Sequence, residues 1–364
     1  MTKKKILIAT GGTGGHVFPA YSLASYLENK DYKVKLTSDK RGLSYLKDYK
    51  RFNLISISSS PLLKNNIFNF LSSITAIIFS TIKSFFLLLI QRPVIVFGMG
   101  GYSSFPVCIA ASILRIKFVI YENNLILGKA NKYLLPFAKK IFVAYKDLEG
   151  VSEKHKEKVI EIGNIVREQI INSTTDNLNS KNFDSIKILV LGGSQAARVF
   201  ADELPEIFVK LKKSKFSIKI YQQCQKNQNE NLSNFYKKNS IDYELFNFKE
   251  NIIDYYLKAN LVITRSGASA LGELLNIKIP FISIPLPSSA DNHQYKNAEY
   301  YKKKGYGYLL EEKDIKIKLY NLINSIFINK SLIKNILSNQ SQYSDKDIYN
   351  NLNNKLEKII NEKN

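Results

Sequence analysis

The chain has 364 residues, and 45% of them are hydrophobic, which excludes a disordered polymer because burial of apolar surface can offset the entropy lost on folding. Lys and Arg number 53 against 31 Asp and Glu, leaving a formal net charge of +22. The two cysteines are too few for a disulfide framework or a four-cysteine zinc site, and no secretory signal opens the chain, so we expect a reducing, cytosolic compartment.

The first half of the chain alternates short apolar runs with helical patterns. The runs carry no polar alternation, which is typical of parallel strands buried on both faces, and they occur at residues 6–9, 34–37, 94–97, 117–121 and 140–144. A helical pattern at residues 17–29 separates the first two runs. This alternation predicts an α/β fold whose ligands lie beyond the carboxyl ends of the strands.

Residues 67–90 form a candidate helix of unusual composition. The stretch carries a single charge, Lys83, and is long enough to cross a bilayer. Asn69 and six serines and threonines dilute its apolar character, and it precedes the strand predicted at 94–97. The sequence favours a helix buried in the domain, then a helix lying in a membrane interface, and last a true span.

The second half repeats the first at an offset of 182 residues. KILIA at residues 5–9 precedes Gly-Gly-Thr, and KILVL at residues 187–191 precedes Gly-Gly-Ser. Further apolar runs at 218–221, 261–264 and 281–284 alternate with helical patterns at 252–259 and 291–304, after a polar stretch at 172–184 that reads as a linker. We predict two Rossmann-like domains facing across a cleft, at residues 1–166 and 167–340, with a C-terminal helix in 341–364 packing back toward the first domain.

A glycine-rich turn, G-G-T-G-G-H at residues 11–16, follows the first strand. Its glycines permit close approach of a ligand, and the helix that follows offers N–H groups and a positive dipole end. Val17 stands where the dinucleotide fingerprint needs its third glycine, and no Gly-Lys-Ser/Thr follows, so neither an NAD nor an ATP site is supported. His16 is a candidate for chemistry because imidazole titrates near neutrality, and a purely structural histidine is the alternative.

A second turn in the same half spans residues 98–106. It is either a tight strand-to-helix connection or a second wall of the pocket, with the Tyr102 and Ser104 hydroxyls facing a ligand. The sequence Glu122-Asn123-Asn124 follows another strand and falls at the same edge of the sheet.

Three turns in the second half carry similar chemistry. Residues 192–195 repeat the anion-binding design, and small residues at 266–270 start a helix that contains Glu273. Glu273 could accept two hydroxyls of a ribose or simply complement the helix dipole, an effect below about 1 kcal/mol. Polar residues at 291–294 suit sugar recognition, and three of the scarce arginines accompany such turns: Arg167, Arg198 and Arg265.

Taken in order, these turns resemble one family of enzymes over roughly residues 4–350. The motifs are G-G-T-G-G-H (11–16), G-x-G-G-Y-x-S-x-P (98–106), E-x-N (122–124), G-N-x-V-R (163–167), G-G-S-Q-x-A-R (192–198), R-S-G-A-S-x-L-x-E (265–273) and D-N-H-Q-x-x-N-A (291–298). The sequence is similar to the MurG family, which moves N-acetylglucosamine from UDP-N-acetylglucosamine to undecaprenyl-pyrophosphoryl-N-acetylmuramoyl-pentapeptide. The resemblance implies the GT-B architecture of two Rossmann-like domains, with the donor held mainly by the C-terminal half.

The resemblance also implies roles for particular residues. The donor diphosphate and sugar would lie near Ser194 and a helix start, with Glu273 on the ribose and Arg167 nearby. The residues of that helix start are Ala268, Ser269, Ala270, Leu271 and Gly272. The N-acetylglucosamine would be held by Gln294, Asn124 and the loop Thr13, Gly14 and Gly15, and the uracil by backbone near Lys249. His16 and Tyr102 would face the lipid acceptor, with His16 as the general base.

Two segments depart from the family pattern. Ala196 replaces a glycine usual in the G-G-S-Q turn, and a methyl group there is tolerable only if φ is negative. Residues 222–225, Gln-Gln-Cys-Gln, replace a usual His-Gln-Ser/Thr-Gly, so the roles of that histidine and glycine do not carry over. No Asp-x-Asp pair accompanies the turns, and we expect an inverting transfer that needs neither a metal nor a cofactor.

The basic charge bears on partners. Lysines outnumber arginines 46 to 7, and the arginine fork that reads phosphates and bases is therefore scarce, which argues against nucleic acid as a partner. We expect a solvated basic surface that also attracts an anionic membrane, and a peripheral enzyme on the cytoplasmic face of the inner membrane. The alternatives are another GT-B enzyme, such as a diacylglycerol glycosyltransferase or a UDP-sugar epimerase, and a nicotinamide-dependent Rossmann oxidoreductase.

Overall fold

The chain folds into two compact units. The computed structural model describes residues 3–47, 51–58, 66–173, 185–193, 196–214, 216–247, 249 and 252–362. Unit 1 comprises Met1–Arg167 together with Asp345–Asn364, and unit 2 comprises Glu168–Ser344. The linker predicted at 172–184 lies mostly outside the described residues.

Thirteen strands form two sheets in the described part of the chain, and every recorded strand pairing is parallel. The strands are β1 Lys5–Ala9, β2 Lys33–Ser38, β3 Leu54–Ser56, β4 Ile95–Gly98, β5 Phe118–Glu122, β6 Lys140–Val143, β7 Val159–Glu161, β8 Ser185–Leu191, β9 Ser217–Gln223, β10 Asp242–Phe246, β11 Leu261–Thr264, β12 Phe281–Ser283 and β13 Tyr308–Leu309.

Helices connect these strands within the described residues. They are α1 Gly14–Asn29, α2 Lys40–Tyr45, α3 Ile67–Gln91, α4 Phe105–Ile113, α5 Lys129–Leu134, α6 Glu168–Asn172, α7 Arg198–Lys213, α8 Asn229–Lys238, α9 Ile253–Lys258, α10 Ala268–Asn276, α11 His293–Lys303, α12 Ile315–Ile328, α13 Lys330–Ser341 and α14 Ile348–Asn361.

The two sheets share one topology around the repeated sequence. Unit 1 has the strand order β3-β2-β1-β4-β5-β6-β7, and unit 2 has β10-β9-β8-β11-β12-β13. The repeated segments are therefore β1 and β8, and each is the third strand from one edge of its sheet. The two-domain GT-B architecture expected from the sequence is confirmed, and in each unit the loops after the strands meet at the carboxyl edge of the sheet.

The last segment of the chain packs on unit 1. The Tyr349 hydroxyl in α14 donates to the Val166 carbonyl at 2.6 Å, and its ring stacks on Tyr26 of α1 with centroids 4.8 Å apart. At the start of the segment, the Asp345 carboxylate accepts from the Asn164 N–H at 3.1 Å. These contacts place the C-terminal segment against α1 and residues 164–166 of the same unit.

Residues 67–90 form a helix, α3, but it is not buried in the domain as the sequence favours. By length and composition it could cross a membrane, but only 22% of its apolar stretch is buried within the protein. It is therefore not the buried helix that the sequence favours. Its buried positions are Ser73, Ser80, Ser84 and Leu88, and it packs against α4. Small serines allow close helix packing, and the Ser84 hydroxyl bonds to the Ser80 carbonyl at 2.7 Å within the helix. The large apolar side chains are therefore left on the solvent side.

Candidate functional site

Two glycine-rich turns of unit 1 meet at His16. The first follows β1 and the second follows β4, and His16 lies half-buried in the first turn of α1. A Cβ atom added to Gly100 would lie 3.2 Å from the imidazole Cε1, and one added to Gly101 would lie 3.3 Å from its Cδ2. Both glycines have positive φ, +83° and +73°. The positive φ favours glycine at both positions, and the ring lies so close that any side chain there would have to displace it slightly.

Asp39 holds the first of these turns. Its Oδ1 accepts from the Gly12 N–H at 3.0 Å and from the Gly42 N–H at 2.8 Å, where it caps α2. Asp39 was not among the predicted site residues. The signal that could have found it is an aspartate two residues after the strand predicted at 34–37, a position that favours helix capping and anchors the neighbouring loop.

The E-x-N segment supports the same edge of the sheet. Glu122 is buried, and its carboxylate accepts from the Asn124 side chain at 3.0 Å and from the Gly128 N–H at 2.9 Å. Asn123 donates to the Gly15 carbonyl at 3.2 Å. Asn123, which the sequence did not single out as a site residue, thus contacts the first turn, while Glu122 orients Asn124.

Unit 1 gathers the remaining predicted residues of its half at this edge. Thr13 is the residue before α1, and Tyr102 in the second turn is 44% exposed. The Arg167 guanidinium carbon lies 5.9 Å from the centroid of the Phe18 ring on α1. The structure therefore brings Thr13, Gly14, Gly15, His16, Tyr102, Asn124 and Arg167 together within one unit.

In unit 2, the helix α10 starts immediately after the loop that follows β11. Gly267 precedes it and has no side chain to cap the helix, whose first turn leaves N–H groups without an acceptor inside the helix. The predicted residues Ala268, Ser269, Ala270, Leu271 and Gly272 occupy this first turn and a half. Such a helix start attracts anions.

Glu273 follows in the same helix. It is 8% exposed, and its Oε2 accepts from the Tyr256 hydroxyl at 3.0 Å. Tyr256, on α9, orients this carboxylate and was not predicted, because nothing in the sequence near α9 signals that its side chain reaches α10.

The polar loop at 291–294 leads into α11. Gln294 is half-buried, and its Oε1 accepts from the Leu286 N–H at 2.9 Å. Asp291 and Asn292 have φ of +51° and +54°, a left-handed pair that short polar residues tolerate. The side-chain carbonyl of Gln294 is thereby fixed to the loop that follows β12, and its orientation is set.

Two predicted residues are less informative. Ser194 and its neighbour Gln195 lie outside the described residues. Lys249 is exposed, and residues 248, 250 and 251 around it are not described. Residues 249, 268–273 and 294 therefore make up the described part of the predicted site in unit 2.

The departures in this unit have structural consequences. Gln222, in place of the family histidine, is fully buried, where it accepts from the Tyr236 hydroxyl at 2.5 Å and donates to the Phe200 carbonyl at 3.3 Å. Cys224 is buried beside Asn229, and burial raises the pKa of its thiol to about 11. These side chains thus support the packing of α7 and α8.

The backbone conformation of Ala196 differs from the one predicted. A methyl group was expected to require negative φ, but φ is +47°. This left-handed conformation costs an alanine about 1 kcal/mol or more, and its N–H donates to the Gly193 carbonyl at 3.1 Å to close the turn. The chain therefore carries local backbone strain at Ala196.

We expect Ala196→Gly to raise the free energy of unfolding by about 0.5–1 kcal/mol, because glycine adopts this φ without strain and the gain exceeds its greater entropy in the unfolded chain. Urea denaturation followed by circular dichroism measures the change. Ala197→Gly is the matched control, since Ala197 has φ of −54°, and it should lower stability by a similar amount. A lower stability for Ala196→Gly would contradict the strain.

In the described part of the chain, no three His, Cys, Asp or Glu side chains come together as a metal site would require. The expectation that no metal or cofactor takes part stays a prediction.

Comparison with known protein families matches both halves of the chain. Residues 6–143 match the glycosyltransferase family 28 N-terminal domain, and residues 187–354 match the glycosyltransferase family 28 C-terminal domain. The chain is 37% identical over 363 residues to a UDP-N-acetylglucosamine–N-acetylmuramyl-(pentapeptide) pyrophosphoryl-undecaprenol N-acetylglucosamine transferase of Pelagibacter ubique, covering 99% of each chain. It is 36% identical to the protein of the same name from Rickettsia felis, covering 93% of this chain and 96% of the relative.

Solved structures share the fold. The crystal structure of Acinetobacter baumannii MurG matches with a TM-score of 0.78 at 22% identity, covering 98% of this chain and 99% of that one. A Staphylococcus aureus MnaA–UDP structure matches with a TM-score of 0.70 at 17% identity, covering 99% of each chain. At these identities the structural likeness establishes the architecture alone.

Proposed function

The chain belongs to glycosyltransferase family 28, and we propose that it transfers N-acetylglucosamine from UDP-N-acetylglucosamine to the 4-hydroxyl of undecaprenyl-pyrophosphoryl-N-acetylmuramoyl-pentapeptide, converting lipid I to lipid II. The observation that carries the proposal is 37% identity across 99% of both chains to a transferase of that name. The epimerase and oxidoreductase alternatives are not favoured, because the three UDP-N-acetylglucosamine 2-epimerase structures compared are only 14–16% identical to this chain and the dinucleotide fingerprint is broken at Val17.

A transfer assay tests this proposal. UDP-N-acetylglucosamine and a short-chain lipid I analogue should yield the disaccharide product and UDP, whereas UDP-glucose should react far more slowly. Transfer to diacylglycerol instead, or binding of NADH in a fluorescence titration, would contradict it.

On the donor side, we place the diphosphate at the first turn of α10, with Ser194 beside it. Charge grows on the diphosphate as the glycosidic bond breaks, so N–H groups fixed at Ala268, Ser269 and Ala270 stabilise the transition state more than the ground state. The sugar would contact Gln294, Asn124 and the loop Thr13–Gly15, with Arg167 near the donor and the uracil near Lys249. The preset orientation of Gln294 supports this assignment.

Glu273 is assigned to the ribose hydroxyls, and Glu273→Ala should raise the donor KM by about 10–100-fold, because hydrogen bonds to a carboxylate contribute about 1.5–3 kcal/mol. Steady-state kinetics with saturating acceptor measure this change. A 2′-deoxyribose donor provides the specific check, since it should bind worse than the natural donor to the wild type but equally well to Glu273→Ala. An unchanged donor KM would overturn the ribose assignment.

On the acceptor side, His16 would take the proton of the attacking 4-hydroxyl, and Tyr102 would contact the lipid-linked sugar. The reaction is then a direct displacement with inversion at the anomeric carbon, and UDP leaves. Close packing on Gly100 and Gly101 supports the role of His16, because a positioned base must be held in one orientation.

The exposed face of α3 supports docking on a membrane. Its exposed apolar side chains lie within an arc of about 140° at 100° per residue. They include Phe68 (80% exposed), Phe79 (69%) and Ile90 (74%), and the others are Ile67, Leu71, Ile78, Ile82, Phe86 and Leu89. This set is called the α3 face below. A helix of this kind lies in the interface plane with its apolar side among the acyl chains.

Unit 1 also carries exposed basic residues. Arg92 and Arg115 are exposed at the ends of α3 and α4, and Lys129, Lys132 and Lys139 are exposed on and after α5. Each such charge contributes about 1 kcal/mol near an anionic surface. We therefore propose a peripheral enzyme on the cytoplasmic face of the inner membrane, where its lipid acceptor resides.

A further inference from the structure

Arg265 is a buried arginine in unit 2 with an unusual number of contacts. It is 8% exposed, and its guanidinium donates to the carbonyls of Ile284 at 3.2 Å and Pro285 at 3.1 Å. It also forms an ion pair with Glu312. The guanidinium carbon lies 4.8 Å from the centroid of the Phe200 ring.

These contacts belong to loops that follow different strands of the sheet. Phe200 lies in the first turn of α7, just after the glycine turn that follows β8, and the backbone N–H of Arg265 donates to the Leu191 carbonyl at the end of β8. Ile284 and Pro285 follow β12, and Glu312 follows β13. Arg265 itself follows β11, so a single side chain connects four adjacent loops at the carboxyl edge.

Three of these four loops, those after β8, β11 and β12, carry donor assignments. The helix α10, with its anion-binding start, begins three residues after Arg265. The residue after Pro285 is Leu286, whose N–H binds the Gln294 side chain at 2.9 Å. A movement of the guanidinium would therefore displace the helix start and Gln294 together.

The planar fork of arginine is what this position requires. Its two terminal nitrogens serve different partners, one donating to two carbonyls and the other to a carboxylate, and its face lies over an aromatic ring. A lysine ammonium would keep the charge but could not span these partners or stack on the ring. The glutamate is less buried than the arginine, with side-chain exposures of 27% and 9%.

We propose that Arg265, together with Glu312, is a positioning residue for the donor: it sets the relative positions of the diphosphate-binding helix start and the sugar-binding Gln294 without contacting the substrate. The inference rests on the proposed function, since it takes UDP-N-acetylglucosamine as the ligand of this edge. In this proposal Arg265 differs from the arginines expected to face a ligand, because its guanidinium already binds protein carbonyls and a carboxylate.

Calorimetric titration with UDP tests the proposal, with circular dichroism and thermal melting on the same samples. Arg265→Lys should raise the Kd of UDP about tenfold and the donor KM similarly, while the acceptor KM stays unchanged. Glu312→Gln should raise the Kd about threefold, and the double variant should bind no more weakly than Arg265→Lys, because the two residues act as one unit. Glu311→Gln is the matched control, since Glu311 pairs at the surface with Lys313, and its Kd should equal that of the wild type.

The outcomes distinguish a failure of the proposed function from a failure of the inference about Arg265. If the wild type fails to bind UDP, the proposed function itself is wrong. If the wild type binds and Arg265→Lys melts earlier but binds UDP equally well, Arg265 is merely structural and the inference is overturned. Should Arg265→Lys fail to fold, Glu312→Gln decides, and an unchanged Kd in that folded variant overturns the inference.

Discussion

Replacing His16 by alanine is expected to lower kcat by about 10²–10⁴, because a positioned general base contributes that much to a proton transfer. The imidazole lies close against the Gly100–Gly101 backbone at the start of α1. The KM for UDP-N-acetylglucosamine should change little, since His16 itself is assigned to the acceptor and not to the donor. Initial rates at saturating donor and acceptor provide the measurement.

Two companions make the His16 prediction specific. His16→Gln keeps a polar side chain of similar reach but no base, so it should be as slow as His16→Ala, and added imidazole should partly restore the alanine variant alone. We expect the wild-type rate to fall at acidic pH and this fall to disappear in both variants, because imidazole is the side chain that ordinarily titrates near neutrality. A kcat within a few-fold of the wild type in His16→Gln would exclude the base.

The sequence predicted the inner strands of both sheets and missed the edges. The four strands without a prediction are β3, β7, β10 and β13, and each lies at an edge of its sheet. Inner parallel strands are buried on both faces and show as continuous apolar runs, whereas these four are largely half-exposed and carry mixed residues. A continuous apolar run therefore indicates an inner position in a parallel sheet as much as it indicates a strand.

For the candidate site, the motifs predicted which loops matter but not what holds them. Gly100 and Gly101 were within a predicted turn, yet only the fold shows that they support His16. Asp39 and Arg265 act across loops far apart in sequence, and no spacing rule connects Arg265 with Glu312. The orientation of α3 was missed for a related reason: its serines look like dilution of an apolar helix, but they form the buried face.

The second large effect is expected on the α3 face. The double variant Phe79→Asp with Phe86→Asp should lower partitioning onto vesicles of phosphatidylglycerol and phosphatidylethanolamine by at least about 10²-fold, because each phenylalanine contributes about 1.5–3 kcal/mol when removed from water. Both side chains are exposed, 69% and 59%, so their replacement should leave the fold intact. Flotation through a sucrose gradient measures the bound fraction, and activity on a soluble short-chain acceptor should be retained.

Ile317→Asp with Ile328→Asp supplies the matched control, since these isoleucines are as exposed, 72% and 67%, but lie on α12 of unit 2. That variant should float like the wild type, which would tie membrane binding to the α3 face rather than to exposed apolar surface in general. Raising NaCl from 0.1 to 1 M, roughly a threefold shortening of the screening length, should weaken binding of the wild type only in part, because the apolar contribution is not screened. If neither high salt nor the two aspartates reduces the fraction of protein that floats with the vesicles, docking through the α3 face is refuted. If high salt alone reduces that fraction, the attraction comes entirely from the basic residues of unit 1.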